Sequence, residues 1–104
     1  GGNKSLLAYP LRVVYMPVEQ GNERACMLVS VPKKRFRRAV KRNRVKRQIR
    51  EAYRKNKYTL WHVLEEADIS LALGFIWLDD KLYASDEVEE KVKNLLIRIA
   101  ENLR

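Results

Sequence analysis

The chain has 104 residues, with 22 Lys and Arg against 13 Asp and Glu, a formal net charge of +9, one Cys and one His. This length suits one domain, expected to span residues 1–104, and no apolar run reaches the roughly 18 residues that a membrane span needs. A single Cys excludes an internal disulfide and a Cys-based zinc site, and a single His removes most hydrolytic schemes that pair a nucleophile with a base.

In chain order, the first eight residues read as loose, and Gly1 and Gly2 are set aside. Leu11, Val13 and Tyr15 alternate with Arg12, Val14 and Met16, which predicts a strand over 11–18 that Pro17 ends or confines to an edge. Glu19-Gln20-Gly21-Asn22-Glu23 is a polar turn. Ala25 to Val31 is a second strand, expected to pair with the first as an antiparallel hairpin. Pro32 ends it, and a connection through Phe36 leads into a helix over 38–56. On that helix Val45, Ile49, Ala52 and Tyr53 share one face, Asn43, Arg47, Arg50 and Arg54 the opposite one, and Arg42 and Lys46 the border. A break at 56–58, with Thr59 capping a further short helix, competes with one helix running through to Glu66. Residues 69–78 form the strongest strand, with Ile69, Leu71, Leu73, Phe75 and Trp77 on one face, and its near-continuous hydrophobicity marks a central position. Asp79-Asp80-Lys81 is a turn. Asp86 with Glu89 reads as a capping box for a last helix striped by Val88, Val92, Leu95, Leu96, Ile99 and Leu103. The order strand, strand, helix, strand, helix gives an α+β sandwich, with both helices on one face of a small sheet and the other face open.

The charge is local. Residues 33–57 hold 14 cations and one acid, Glu51, whereas the other 79 residues hold 8 cations and 12 acids, so +13 is set against −4. A concentrated basic surface, interrupted by apolar residues at helical spacing, points to a polyanionic partner. Elsewhere the chemistry is sparse. His62 reads as a packed or surface histidine and Cys26 as filler in an apolar strand. Asp79 and Asp80 fit a turn better than a Mg²⁺ site, and Gly74 stands alone, so no phosphate-gripping glycine loop exists. Nothing forms a self-sufficient active site.

The positive signal is Arg42-Asn43-Arg44-Val45-Lys46-Arg47-Gln48-Ile49-Arg50-Glu51. Guanidinium groups pair bidentately with phosphate and stack on bases, and an amide such as Asn43 both donates and accepts where a cation cannot accept. With Lys33-Lys34 and Ala39-Val40 ahead of it, this spacing closely resembles the signature of the bacterial ribonuclease P protein component family, and the order of elements agrees from Leu11 onward. The resemblance implies an α/β sandwich on a small mixed sheet with a left-handed βαβ crossover (ribosomal protein S5 domain 2-like), formed here by 25–31, the Arg-rich helix and 69–78. It also implies that the catalyst is an RNA subunit working with Mg²⁺, that the protein alone binds no cofactor, and that the setting is cytoplasmic. The protein would bind ribonuclease P RNA through Lys33, Lys34, Arg35, Arg38, Lys41, Arg42, Asn43, Arg44, Lys46, Arg47 and Arg50, and lower the metal demand of the holoenzyme. It would also grip the 5′ leader of precursor tRNA in a cleft on the sheet, where Tyr15, with Val13, is the matching position.

Two departures stand out. Family members usually begin with a basic helix that walls the leader cleft. Too few residues precede Leu11 to form it, so that helix is expected to be absent and leader binding weaker or differently walled. Arg35-Phe36-Arg37-Arg38 stands where many members carry Gly or Asn. The alternative functions are a general structured-RNA-binding or ribosome-associated protein, and a DNA-binding domain; the latter lacks the partner helix of a helix-turn-helix.

Overall fold

The computed structural model describes residues 4–19 and 24–103. Its elements are β1 (Lys4–Ala8), β2 (Leu11–Val18), β3 (Ala25–Ser30), α1 (Ala39–Ala67), β4 (Ser70–Trp77) and α2 (Ser85–Asn102). The sheet order is β1-β2-β4-β3. β2 pairs antiparallel with β1 and with β4, while β3 pairs parallel with β4, Ala25 opposite Leu71 and Val29 opposite Phe75. Parallel neighbours require a crossover, and α1 supplies it, so β3-α1-β4 is a βαβ unit.

One face of the sheet is apolar and covered by both helices. Leu11, Val13 and Tyr15 of β2 and Leu71, Leu73, Phe75 and Trp77 of β4 are buried there. From α1 come Val45, Ile49, Ala52, Tyr53, Leu60, Val63 and Leu64, and from α2 Val88, Val92, Leu95, Leu96, Ile99 and Ala100. The helical stripes expected from the sequence are thus the buried ones. Asn43, Arg47, Arg50 and Arg54 are exposed, and Arg42 and Lys46 are half-buried at the border. Among the described residues no helix is long and apolar enough to cross a membrane.

Four local expectations are corrected, and one open alternative is decided. The loose N-terminus contains β1 from Lys4, a short strand whose Leu6 and Ala8 stand opposite Val13 and Leu11. The 11–18 and 25–31 strands do not form a hairpin, because β4 lies between them. As the most apolar strand, β4 gains most from a neighbour on each side, and this outweighs the short loop closure of a hairpin. Helix α1 does not break at 56–58, so the competing reading of one continuous helix holds. Asn56 lies in its stripe and donates from Nδ2 to the carbonyl of Ala52 at 2.8 Å, and Lys57 Nζ sits 4.5 Å from the Trp61 ring. α1 ends at Asp68, which is left-handed (φ 56°) and whose N–H reaches the carbonyls of Leu64 and Glu65. The Asp86–Glu89 capping box is not formed: Ala84 holds the cap position without a side-chain bond, and Asp86 accepts from the N–H of Glu87 instead. Cys26 is exposed, since β3 alternates and Cys26 falls on the uncovered face. Of the polar turn at 19–23, residues 20–23 lie outside the described residues.

Candidate nucleic-acid interface

The basic run begins at Lys33 and Lys34, both exposed in the connection after β3. Pro32 accepts from the N–H of Arg35 at 3.0 Å, which tightens the turn, and Phe36, 5% exposed, anchors it to the core. α1 then starts at Arg38 in extended conformation, with no side-chain cap and no acid in its first turn. Most helices place acids at this end to meet the dipole. Here Arg38 and Lys41 add positive charge to it, so the end is left to an anion from outside. Further along, Asn43, Arg44, Arg47 and Arg50 stand exposed on the outer face. Among the described residues, no cation from Lys33 to Arg50 is paired with a carboxylate. Beyond Arg50, Arg54 pairs with Glu51; the bond holds the Glu51 carboxyl below its ordinary range and raises Arg54.

Two members of the expected set differ from the rest. Arg42 is turned back on the connection, and its Nη1 donates to the carbonyls of Phe36 at 2.7 Å and Arg37 at 2.9 Å. Arg42 is thus a brace for the loop that presents Lys33 to Arg38. Arg35 is half-buried, with its Nε enclosed and without a partner. The sequence pattern also passed over Gln48, whose Nε2 donates to the carbonyl of Tyr83 at 3.0 Å and to Ser85 Oγ at 3.1 Å, tying α1 to the start of α2. Its half-buried position between the apolar and basic faces was the available signal.

The cleft positions are corrected. Val13 is 0% and Tyr15 2% exposed, both on the helix-covered face, and Tyr15 OH accepts from Asn102 Nδ2 at 3.3 Å. Strand parity decides this: odd residues of β2 face the helices, so Arg12, Val14 and Met16 face outward. Across the register they align with Ile76, Gly74 and Ala72 of β4, and beyond these with Ser30, Leu28 and Cys26 of β3. Among these described positions Arg12 is the one cation and most of the rest are apolar, with Leu28 73% exposed.

In the connection after β4, Asp79 accepts from the Tyr83 hydroxyl at 2.7 Å through Oδ2 and from the N–H of Asp80 at 2.7 Å through Oδ1. The first bond holds the Asp79 carboxyl low and pushes the Tyr83 hydroxyl up to about 12. Asp79 therefore serves the turn. Among the described residues no group of three or more His, Cys, Asp and Glu is arranged to hold a metal ion.

The ribonuclease P family model matches residues 2–100, nearly the full length of the chain. The chain belongs to the ribonuclease P protein family. Two proteins named ribonuclease P protein component, from two strains of Porphyromonas gingivalis, are 51% identical over 104 residues, covering 99% of this chain and 76% of theirs. Among solved structures, the RNase P protein of Thermotoga maritima is 25% identical with a TM-score of 0.73, covering 92% of this chain and 83% of that one. The Staphylococcus aureus RNase P protein shares the fold at a TM-score of 0.73 and 19% identity, over 98% of this chain and 84% of that one.

Proposed function

We propose that this ribonuclease P family chain is the protein subunit of the holoenzyme, holding the catalytic RNA and the precursor tRNA while RNA performs the cleavage. The single observation that carries the reading is the unpaired cationic surface running from Lys33 through Arg50, on a rigid helix, in a chain of this family. Lys33, Lys34, Arg38, Lys41, Arg44, Arg47 and Arg50 neutralise phosphates of the ribonuclease P RNA, and Asn43 bonds a 2′-hydroxyl or base edge among them. Lys46 contributes from the border of the stripe, and Arg42 acts by bracing the loop. Mg²⁺ supplies Lewis-acid chemistry when bound to the RNA. Asp79 is engaged by the Tyr83 hydroxyl and the Asp80 N–H, which commits that carboxylate to the turn.

The 5′ leader of precursor tRNA runs over the open face of the sheet, beside Arg12, Val14 and Met16 rather than Tyr15. Those positions offer one cation and a shallow apolar floor, which suits an unpaired strand better than a duplex.

The test is reconstitution. The chain is added to its own ribonuclease P RNA, and precursor-tRNA cleavage is measured at low Mg²⁺. Stimulated cleavage of the 5′ leader is expected; cleavage no faster than with RNA alone overturns the reading. Equal affinity at matched salt for unrelated structured RNAs would favour the general RNA-binding alternative.

A further inference from the structure

Two hollows line the outer seam between α1 and α2. One, of about 520 Å³, is bordered by Arg44, Arg47 and Gln48 of α1 and by Ser85 of α2. The other, of about 270 Å³, is bordered by Tyr58 and Thr59 of α1 and by Lys93 and Ile97 of α2. Lys55 borders both, so they adjoin in one groove. From Arg44 to Tyr58 the helix advances about 21 Å at 1.5 Å per residue. The groove thus begins on the cationic surface described above and leads away from it.

Its lining is electropositive. Arg44, Arg47, Lys55 and Lys93 stand against two acids, Glu51 and Glu89, for a balance of 4 − 2 = +2. Both acids are engaged: Glu51 by Arg54, and Glu89 as acceptor from Asn56 Nδ2 at 3.3 Å. None of the four cations is in an ion pair among the described residues. At the far end Tyr58 is 67% exposed and Ile97 39% exposed, an aromatic and an aliphatic side chain outside the core. Lys57 Nζ lies over the Tyr58 ring, 5.6 Å from its centroid, and the ring keeps most of its surface in solvent.

Spaced cations leading to an exposed aromatic ring suit one occupant best. A duplex hides its base faces, so it cannot use the ring. An apolar peptide would leave the cations without partners. An unpaired nucleotide strand satisfies both, with phosphates on the cations and a base face on the ring.

We propose that the α1/α2 groove carries a single-stranded segment of the RNA held at the N-terminal half of α1, with one unpaired base stacked on Tyr58 and flanking phosphates on Lys55 and Lys93. This rests on the ribonuclease P subunit reading and extends its RNA surface past Arg50.

The experiment uses the full chain and its own ribonuclease P RNA, with affinity measured across a salt series. Tyr58→Ala is expected to weaken binding about five- to a hundredfold, the range of one base–aromatic stack, with the salt slope unchanged because Tyr58 is neutral. Tyr58→Phe keeps the ring and is expected to bind as the wild type does. Lys55→Ala and Lys93→Ala should each reduce the log–log salt slope by about 0.7. Because Tyr58 is exposed, unchanged thermal melting separates these effects from misfolding. Binding by Tyr58→Ala within about twofold of wild type overturns the proposal, and so does an equal loss with Tyr58→Phe. Both results leave the subunit assignment standing. A wild-type chain with no preference for ribonuclease P RNA would instead overturn that assignment.

Discussion

Arg42 and Arg44 belong to one three-residue motif, yet the fold assigns them opposite tasks, and alanine substitution separates these. Arg42 Nη1 donates to the carbonyls of Phe36 at 2.7 Å and of Arg37 at 2.9 Å, whereas Arg44 is exposed and bonded to nothing among the described residues. A hydrogen bond from a charged donor contributes about 1.5–3 kcal/mol. The two acceptors share one nitrogen and the Arg37 side is exposed, so Arg42→Ala should cost about 2 kcal/mol rather than the sum. In a domain of this size each kcal/mol moves the midpoint about 4–8 °C, so the melting temperature should fall by about 10 °C. Arg44→Ala replaces an exposed residue with a better helix former and should change stability by less than about 0.5 kcal/mol. Its effect appears in RNA binding, where losing one phosphate contact lowers the log–log salt slope by about 0.7–0.9. Circular-dichroism melts and a salt series of binding measurements read both quantities. If Arg42→Ala melts within about 2 °C of wild type, Arg42 does not brace the loop.

The remaining predictions concern the turn after β4 and the sheet. Tyr83 holds its proton up to about 12 against an ordinary 10.0, so its bond to Asp79 contributes stability that is full below pH 10.0 and is lost as pH rises toward 12. Asp79 is held below its ordinary 3.8, so its share is present above that pH and is lost as pH falls through the lowered value. Tyr83→Phe should flatten both limbs relative to wild type in pH-dependent denaturation; unchanged limbs would refute the coupling. Gly74 lies mid-strand in β4, and a methyl group there would meet its nearest neighbour, the carbonyl of Val14, at an ordinary 3.8 Å. Gly74→Ala should therefore be neutral or stabilising by up to about 1 kcal/mol, as read by urea denaturation, and a loss of stability would show that the open face is tighter there than the backbone indicates.

Much of the fold was legible because its elements carry strong periodic signals. The α1 stripe at Val45, Ile49, Ala52 and Tyr53, the α2 stripe and the unbroken apolar run of β4 each report a local period that packing then uses. β1 was not legible: Lys4-Ser5-Leu6-Leu7-Ala8 is short, has no β-branched residue, and becomes a strand by pairing with β2. The choice between a break at 56–58 and one continuous helix stayed open because Asn56 and Lys57 look polar in isolation, whereas in the fold Asn56 is bonded across to Glu89 and Lys57 lies on Trp61. The cleft position at Tyr15 failed on parity, since an aromatic on a two-sided strand does not reveal which side the helices cover.

For the interface, the amino-acid order alone determined which residues carry charge and that they fall on one side of a helix, because both follow from composition and a 3.6-residue period. Tertiary structure alone decided which of these groups stay free. Arg42 is drawn to the Phe36 and Arg37 carbonyls because the loop folds back over the helix start. Arg44, Arg47, Lys55 and Lys93 come to share a groove because α2 packs alongside α1, and contacts between segments distant in sequence leave no periodic trace in either one.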